Sequence, residues 1–159
     1  MNHAALDHPA NAGLRRRREA RGQPPGMPPL ASPDQLANPY ETLGTHPDLV
    51  GRLWDELPAG LPVDCRMVFY GMPVLMHPTT GIVFGFAGGT HTYALRLPER
   101  ERSEAIRAGA TRIKHYPARQ PSFDLDDIGP EWVFCGWFRG EDAWCRSAFV
   151  SAGSPEGDA

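Results

Sequence analysis

The sequence predicts an α+β domain, an antiparallel β-sheet meander with helices packed on one face, behind a disordered N-terminal tail. Three observations predict it. Apolar residues recur at helical 3–4 spacing over 49–57 and again over 144–149. Between them, Val63–Leu97 is rich in β-branched and aromatic residues interrupted by short glycine and proline turns. Residues 1–33, by contrast, hold Pro9, Pro24, Pro25, Pro28, Pro29 and Pro33 with few large apolar side chains. A segment so poor in apolar surface does not recover the entropy cost of ordering, so 1–39 is expected to be disordered, with a fraying helical turn around Leu14–Arg21. Residues 153–159 read the same way, leaving one folded domain over 40–152.

Thr45 can cap the first helix, Pro47 suits its first turn and Asp48 places negative charge at its positive end. Leu49, Val50, Leu53, Trp54 and Leu57 then form one apolar face, and Pro58 and Gly60 end the run. Strands are expected near Cys65–Tyr70, Val74–Met76, Ile82–Phe86 and Thr92–Leu97; the joining turns are short, so neighbours run antiparallel. In the last of these, Tyr93, Leu95 and Leu97 take the core side. Pro98–Ala108 reads as a helix with Glu99 and Glu101 at its start and Gly109 as its stop. A short strand is expected at Thr111–His115, a loop at Pro117–Pro130, a strand at Glu131–Phe138 and a closing helix at Glu141–Ala152.

Charge and cysteine usage narrow the function classes. The 159 residues carry a formal charge of −3. It is unevenly placed: residues 1–33 hold five arginines against Asp7 and Glu19, net +3, and the remainder holds 11 basic and 17 acidic residues, net −6. An acidic body repels phosphate, so nucleic acid is a partner only through the tail. No apolar run approaches the roughly 18–20 residues of a membrane span, and Asp7 and His8 interrupt the start where a secretory signal needs an apolar core. A cytoplasmic location and no membrane partner are therefore expected. Cys65, Cys135 and Cys145 cannot all pair within one chain, so reduced thiols are the default.

The motifs that carry chemistry elsewhere are incomplete. Phe84–Thr90 is glycine-rich, yet it lacks the Lys-Ser/Thr of a phosphate loop and is followed by a strand, so it reads as a hairpin turn. His46, His77, His91 and His115 with the three cysteines have no metal-ligand spacing, and no metal or cofactor is expected. A Cys135 or Cys145 nucleophile needs a neighbouring imidazole or helix N-terminus that sequence does not supply. Asp124, Asp126 and Asp127 lack the alternation of a calcium loop and read as a solvated, capping loop. Trp132, Trp137, Trp144, Phe134, Phe138 and Phe149 are expected mostly in the core, any exposed part of them marking a partner surface. Arg15, Arg16, Arg17 and Arg18 can attract phosphate or an acidic partner by charge, although no aromatic residues interleave to stack on bases.

At Arg66–Pro73 (Arg-Met-Val-Phe-Tyr-Gly-Met-Pro), Gly81–Phe86 and Tyr93–Glu99, the chain resembles the N-terminal domain of TfoX-type competence regulators. That family places an Arg-Met-Phe-Gly segment before a hairpin and a Leu-Arg-Leu strand before a helix; here Val68 and Tyr70 interrupt the Met-Phe-Gly run. The likeness covers about residues 45–115 and leaves out Trp132–Ala152. It implies a small α+β domain without established catalysis, used for regulation or interaction, and supplies no catalytic residues.

The expected function is therefore a non-enzymatic regulatory or protein-interaction module, with another protein as partner. Its binding surface is expected around Tyr70, Met72, Pro73 and Trp137. The alternatives are a nucleic-acid contact through Arg15–Arg18 and a small enzyme using a cysteine with a histidine. Oligomeric state is not legible in the sequence.

Overall fold

A computed structural model of the chain describes residues 4–21, 27–89, 92–115, 122–136 and 138–154. Its helices are α1 (Ala4–Asp7), α2 (Ala12–Arg21), α3 (Pro39–Thr42), α4 (Pro47–Gly51), α5 (Glu99–Ala108) and α6 (Glu141–Ala152). Its strands are β1 (Leu30–Ala31), β2 (Arg66–Phe69), β3 (Met72–Met76), β4 (Val83–Gly88), β5 (Thr92–Arg96), β6 (Ile113–Lys114), β7 (Phe123–Asp124) and β8 (Trp132–Cys135). The fold is α+β. Six strands form one sheet in the order β1-β2-β3-β4-β5-β8, every neighbouring pair antiparallel, and β6 and β7 form a separate ribbon.

Strands β2 to β5 are the expected meander. A two-residue hairpin, Tyr70-Gly71 with φ of 49° and 77°, joins β2 to β3 and sets Phe69 opposite Met72. Between β3 and β4 the register skips Phe84, because Leu75 faces Gly85 while Met76 faces Val83. Gly85 lies in β4, within the strand expected over Ile82–Phe86, and the strand runs on through Gly88 into the glycine run read as a turn. A Cβ at Gly85 would sit 3.3–3.4 Å from methyls of Leu95, Leu53 and Leu75, so its missing side chain lets the helix approach the sheet. At the far edge Thr111 and Phe134 exchange two backbone hydrogen bonds of 3.1 and 2.7 Å, which closes the open side of β8.

One face of the sheet is covered as expected. Leu49, Val50, Leu53, Trp54 and Leu57 pack with Val68, Leu75, Tyr93 and Leu95, joined by Trp144, Cys145 and Ala148 of α6. The helix after Pro47 departs from expectation in two ways. Its cap is His46, whose Nδ1 accepts the Asp48 N–H at 3.1 Å, while Thr45 Oγ1 donates to the Ala87 carbonyl. Beyond Gly51 the chain widens into a π-helix over Arg52–Glu56, with the Leu57 N–H donating to the Arg52 carbonyl.

The other face is where the structure corrects the sequence. Helices on one face alone would leave Phe69, Val74, Met76, Val83, Phe86, Ala94, Trp132 and Phe134 wet, yet all are buried. They are covered by Phe123 and Leu125 and by residues 4–21, which are helical and not a disordered tail. Residues 27–39 are likewise placed, with Leu30 and Ala31 buried as edge strand β1. Among the described side chains of residues 4–21, Ala5 and Leu14 are the buried apolar ones, with Leu6 and Ala10 partly so. Polar and steric contacts do the rest. Buried Asn11 donates from Nδ2 to the Ala5 and Gly81 carbonyls at 2.8 and 2.9 Å and accepts the Val83 N–H at 2.9 Å. Gly13 lies so close to Ile128 that a Cβ would be 2.4 Å from its carbonyl oxygen.

The remaining elements fall near their expected places: α5 ends at Gly109, α6 spans the expected residues, and β8 is shorter than the strand read from Glu131–Phe138. The expected loop over 117–130 contains β7 and a 3-10 turn at Leu125–Asp127 capped by Asp124, whose side chain accepts the Asp126 N–H. Residues 155–159 lie outside the described residues.

Asn11→Ala should lower the unfolding free energy by about 2–4 kcal/mol, since it removes three buried hydrogen bonds and orphans the Val83 N–H. Urea denaturation measures this, with faster tryptic cleavage at Arg15–Arg18 as the local readout. A variant with native stability and native cleavage would show that Asn11 does not hold the segment.

Candidate functional site

A groove of about 920 Å³ lies at the end of the sheet where β2 begins and β3 ends. Leu30 from β1, Leu36 from the turn after it, and Met67 and Met76 from β2 and β3 give it an apolar floor. Asp34 and Asp64 stand exposed on its rim. Arg66 is also there, but its Nη1 is 3.4 Å from Asp55 Oδ1, which also accepts the Tyr40 hydroxyl at 3.0 Å. Burial and Asp55 together raise the Tyr40 pKa. With its one lining arginine compensated, the rim presents net negative charge.

His77 closes one end of the groove. Its ring stacks on Phe149 at 4.6 Å, and its Nδ1 accepts N–H bonds from Thr79 and Thr80 at 3.1 and 3.4 Å. The acceptor role fixes Nδ1 as unprotonated, and burial lowers the His77 pKa below the usual 6.5. Beside it Thr80 Oγ1 donates to the Ala152 carbonyl at 2.7 Å, tying this end of the groove to the end of α6.

The residues singled out from sequence occupy a different place. Tyr70, Met72 and Pro73 are buried and form no open surface. What covers them includes the arginine run itself: Arg18 Nη2 and Nε donate to the Tyr70 carbonyl at 3.0 and 3.3 Å. Arg17 lies 3.3 Å above the Phe123 ring, and Arg15 donates to the Leu6 carbonyl and pairs with Asp7 and Glu19. Two sets of residues expected to act separately are thus brought together as an internal interface. Of the four arginines, Arg16 is the exposed one. Trp137 lies outside the described residues, as does the structure around His91.

The cysteine and histidine candidates are separated from reactive chemistry by burial and by prior engagement. All three thiols are buried, which pushes Cys65 and Cys145 up to about 12 and raises Cys135 as well. His8, His46 and His77 each precede a proline and each spend Nδ1 on the N–H two residues later. His115 Nδ1 lies 3.0 Å from Ser122 Oγ. Among the described residues no group of three or more His, Cys, Asp or Glu side chains converges as a metal site. No helix among them is long and apolar enough to cross a membrane.

Sequence reasoning missed a buried ion pair. Arg52 of the π-turn donates from Nη2 to Glu141 Oε1 at 2.9 Å, and the Glu141 side chain is fully buried. Burial works against the Arg52 cation, yet its bond to Glu141 and the nearby Tyr93 hold its pKa above the ordinary value. Tyr93 lies beside both, its pKa raised by burial and then by Glu141; among the described residues its hydroxyl and Glu141 Oε2 lack a well-formed hydrogen bond. The pair joins two helices over the sheet and lines no part of the groove. Its only sequence signal was an acidic residue at a helix start, which the helix dipole already accounts for.

No family model, no curated protein and no solved structure matches the chain.

His77 is held neutral with a lowered pKa, so its contribution to stability is present above about pH 6.5 and is lost as pH falls toward the folded value. Urea midpoints should therefore drop more between pH 7.5 and 5 for the native chain than for His77→Asn, which keeps an acceptor but does not titrate. Equal drops would contradict the assignment. A chromogenic disulfide reagent at pH 7.5 should label the folded native thiols at least tenfold slower than the urea-unfolded chain.

Proposed function

We propose that this chain is a non-enzymatic protein-interaction module, of the regulatory kind that its likeness to the TfoX-type segment implies. Its groove takes an extended segment of a partner protein that combines apolar side chains with lysine or arginine. The observation that supports this best is the composition of the groove: flexible Met67 and Met76 with Leu30 and Leu36 beneath a rim that carries Asp34 and Asp64. Methionines adapt their shape to varied side chains, and uncompensated rim carboxylates favour cations and speed their approach. The buried, protonated thiols and the engaged histidines argue for this reading over a cysteine–histidine enzyme. The internal use of Arg15, Arg17 and Arg18 likewise removes most of the support for nucleic-acid contact through that run.

Selection of a random decapeptide display library on the immobilised full chain tests the proposal. Enriched peptides should pair Lys or Arg with Leu, Met or Phe, and their affinity should fall with added salt. In Asp34→Asn/Asp64→Asn it should fall about 3–20-fold, as expected for two partly exposed charge contacts. No enrichment over a blank surface, or enriched peptides indifferent to the double variant, would overturn it.

A further inference from the structure

His77 stands at one end of the groove with each side of its ring in use. It follows the last residue of β3 and anchors the turn that leads to β4: its N–H donates to the Ile82 carbonyl and its carbonyl accepts the Gly81 N–H, both at 2.9 Å. Pro78 and Gly81 of that turn line the groove with it. Its Nδ1 accepts the Thr79 and Thr80 N–H groups, its face stacks on Phe149, and its Nε2 edge lies against the end of α6, where a Cβ on Gly153 would be 3.0 Å away. Thr80 Oγ1, which donates to the Ala152 carbonyl, also accepts the Ile82 N–H at 3.2 Å, so turn, groove wall and helix end form one connected unit. A proton added to this tautomer goes to Nδ1, into the place where two N–H groups already point. A ring flip restores no acceptor, since both nitrogens of the cation are donors. The wall of the groove therefore has to move. Charge works in the same direction. The titratable and charged groups that share the groove are Asp34, Tyr40, Asp64 and Arg66, with Asp55 paired to Arg66; Phe149 and Gly153 from α6 and Ile82 from the turn carry no charge. An imidazolium freed into the groove adds a cation near Asp34 and Asp64 and competes there with a partner's lysine or arginine.

We infer that His77 makes the groove an acid-released binding site: the partner segment is held while the imidazole is neutral and is let go when it takes a proton. The inference rests on the reading of the groove as a peptide site and adds its regulation. Burial of the ring disfavours the cation and keeps the neutral, binding form populated near neutral pH. Linkage is reciprocal, so a bound partner in turn holds the proton off.

The test uses the full chain and, as probe, the fluorescein-labelled decapeptide most enriched by the display selection at pH 7.5. Fluorescence anisotropy should show binding about fivefold or more weaker at pH 5.0 than at pH 7.5. His77→Asn keeps every other titrating group of the groove, and its loss between the same two pH values should stay under about twofold. On the native chain, the His77 ring signals followed by NMR should titrate together with the Thr79 and Thr80 amide signals, and saturating peptide should move that midpoint to lower pH. Equal affinity at the two pH values overturns the inference, as does an equal loss in His77→Asn. A midpoint that saturating peptide leaves in place overturns it too, and that measurement needs no substitution, so a His77→Asn chain that fails to fold does not shelter the inference. Absence of any enriched peptide at pH 7.5 overturns the peptide reading of the groove, and this inference with it. Binding that persists unchanged at pH 5.0 overturns this inference alone.

Discussion

A sheet whose side chains are apolar on both faces has to be covered twice, and the rest of this molecule is shaped by that constraint. Strand β3 is buried at all five positions and β4 at five of six, so neither has a face to offer to water. Antiparallel meanders more often keep one face wet, which is why their strands alternate. Here one cover comes from the helices that begin at Pro47 and Glu141, and the second from two other segments, residues 4–21 and 123–128. The order of the chain then makes sense: the N-terminal segment must cross the sheet before β1 starts the edge, and the excursion after α5 must return through Phe123 and Leu125 before β8 closes the other edge.

Much of this was legible in the sequence because period and punctuation are local. The strands around Arg66–Phe69 and Thr92–Arg96, the stop at Gly109 and the helix Glu141–Ala152 all arise from patterns within a dozen residues. The two-sided burial was also written there, in the unbroken apolar runs Met72–Met76 and Val83–Ala87, which a half-wet strand would not carry. The N-terminal segment was not legible for a physical reason. A judgement of order from composition counts apolar area, whereas this segment is held by Asn11 on the Gly81 carbonyl and the Val83 N–H, by a glycine against Ile128 and by arginines on a ring and a carbonyl. Each of these depends on a partner far along the chain, about which local sequence says nothing. The same blindness displaced the candidate site: Tyr70, Met72 and Pro73 look distinctive in sequence because they make a tight hairpin under Arg18, while the groove is assembled from β1, β2 and β3 at positions with no shared motif.

Histidine usage shows how a reactive residue type becomes structural. In His8-Pro9, His46-Pro47 and His77-Pro78, proline removes one N–H at the start of a turn and the imidazole satisfies the next one. An imidazole so engaged serves as a cap, much as Asp or Ser does elsewhere. The buried Arg52–Glu141 pair plays a comparable part between elements, since breaking such a pair by removing one partner strands a charge at a cost of about 3–5 kcal/mol.

The π-turn at Arg52–Glu56 holds one residue more than an ordinary helical turn would. The width of the turn absorbs that surplus, so Leu57 lies about two turns beyond Leu49, where seven residues of ordinary helix would also place it. Leu49, Val50 and Leu57 accordingly stay on one side and are buried in the same core. The wide turn thus takes up a residue without turning the greasy stripe away from the sheet, while still aiming a guanidinium sideways at Glu141.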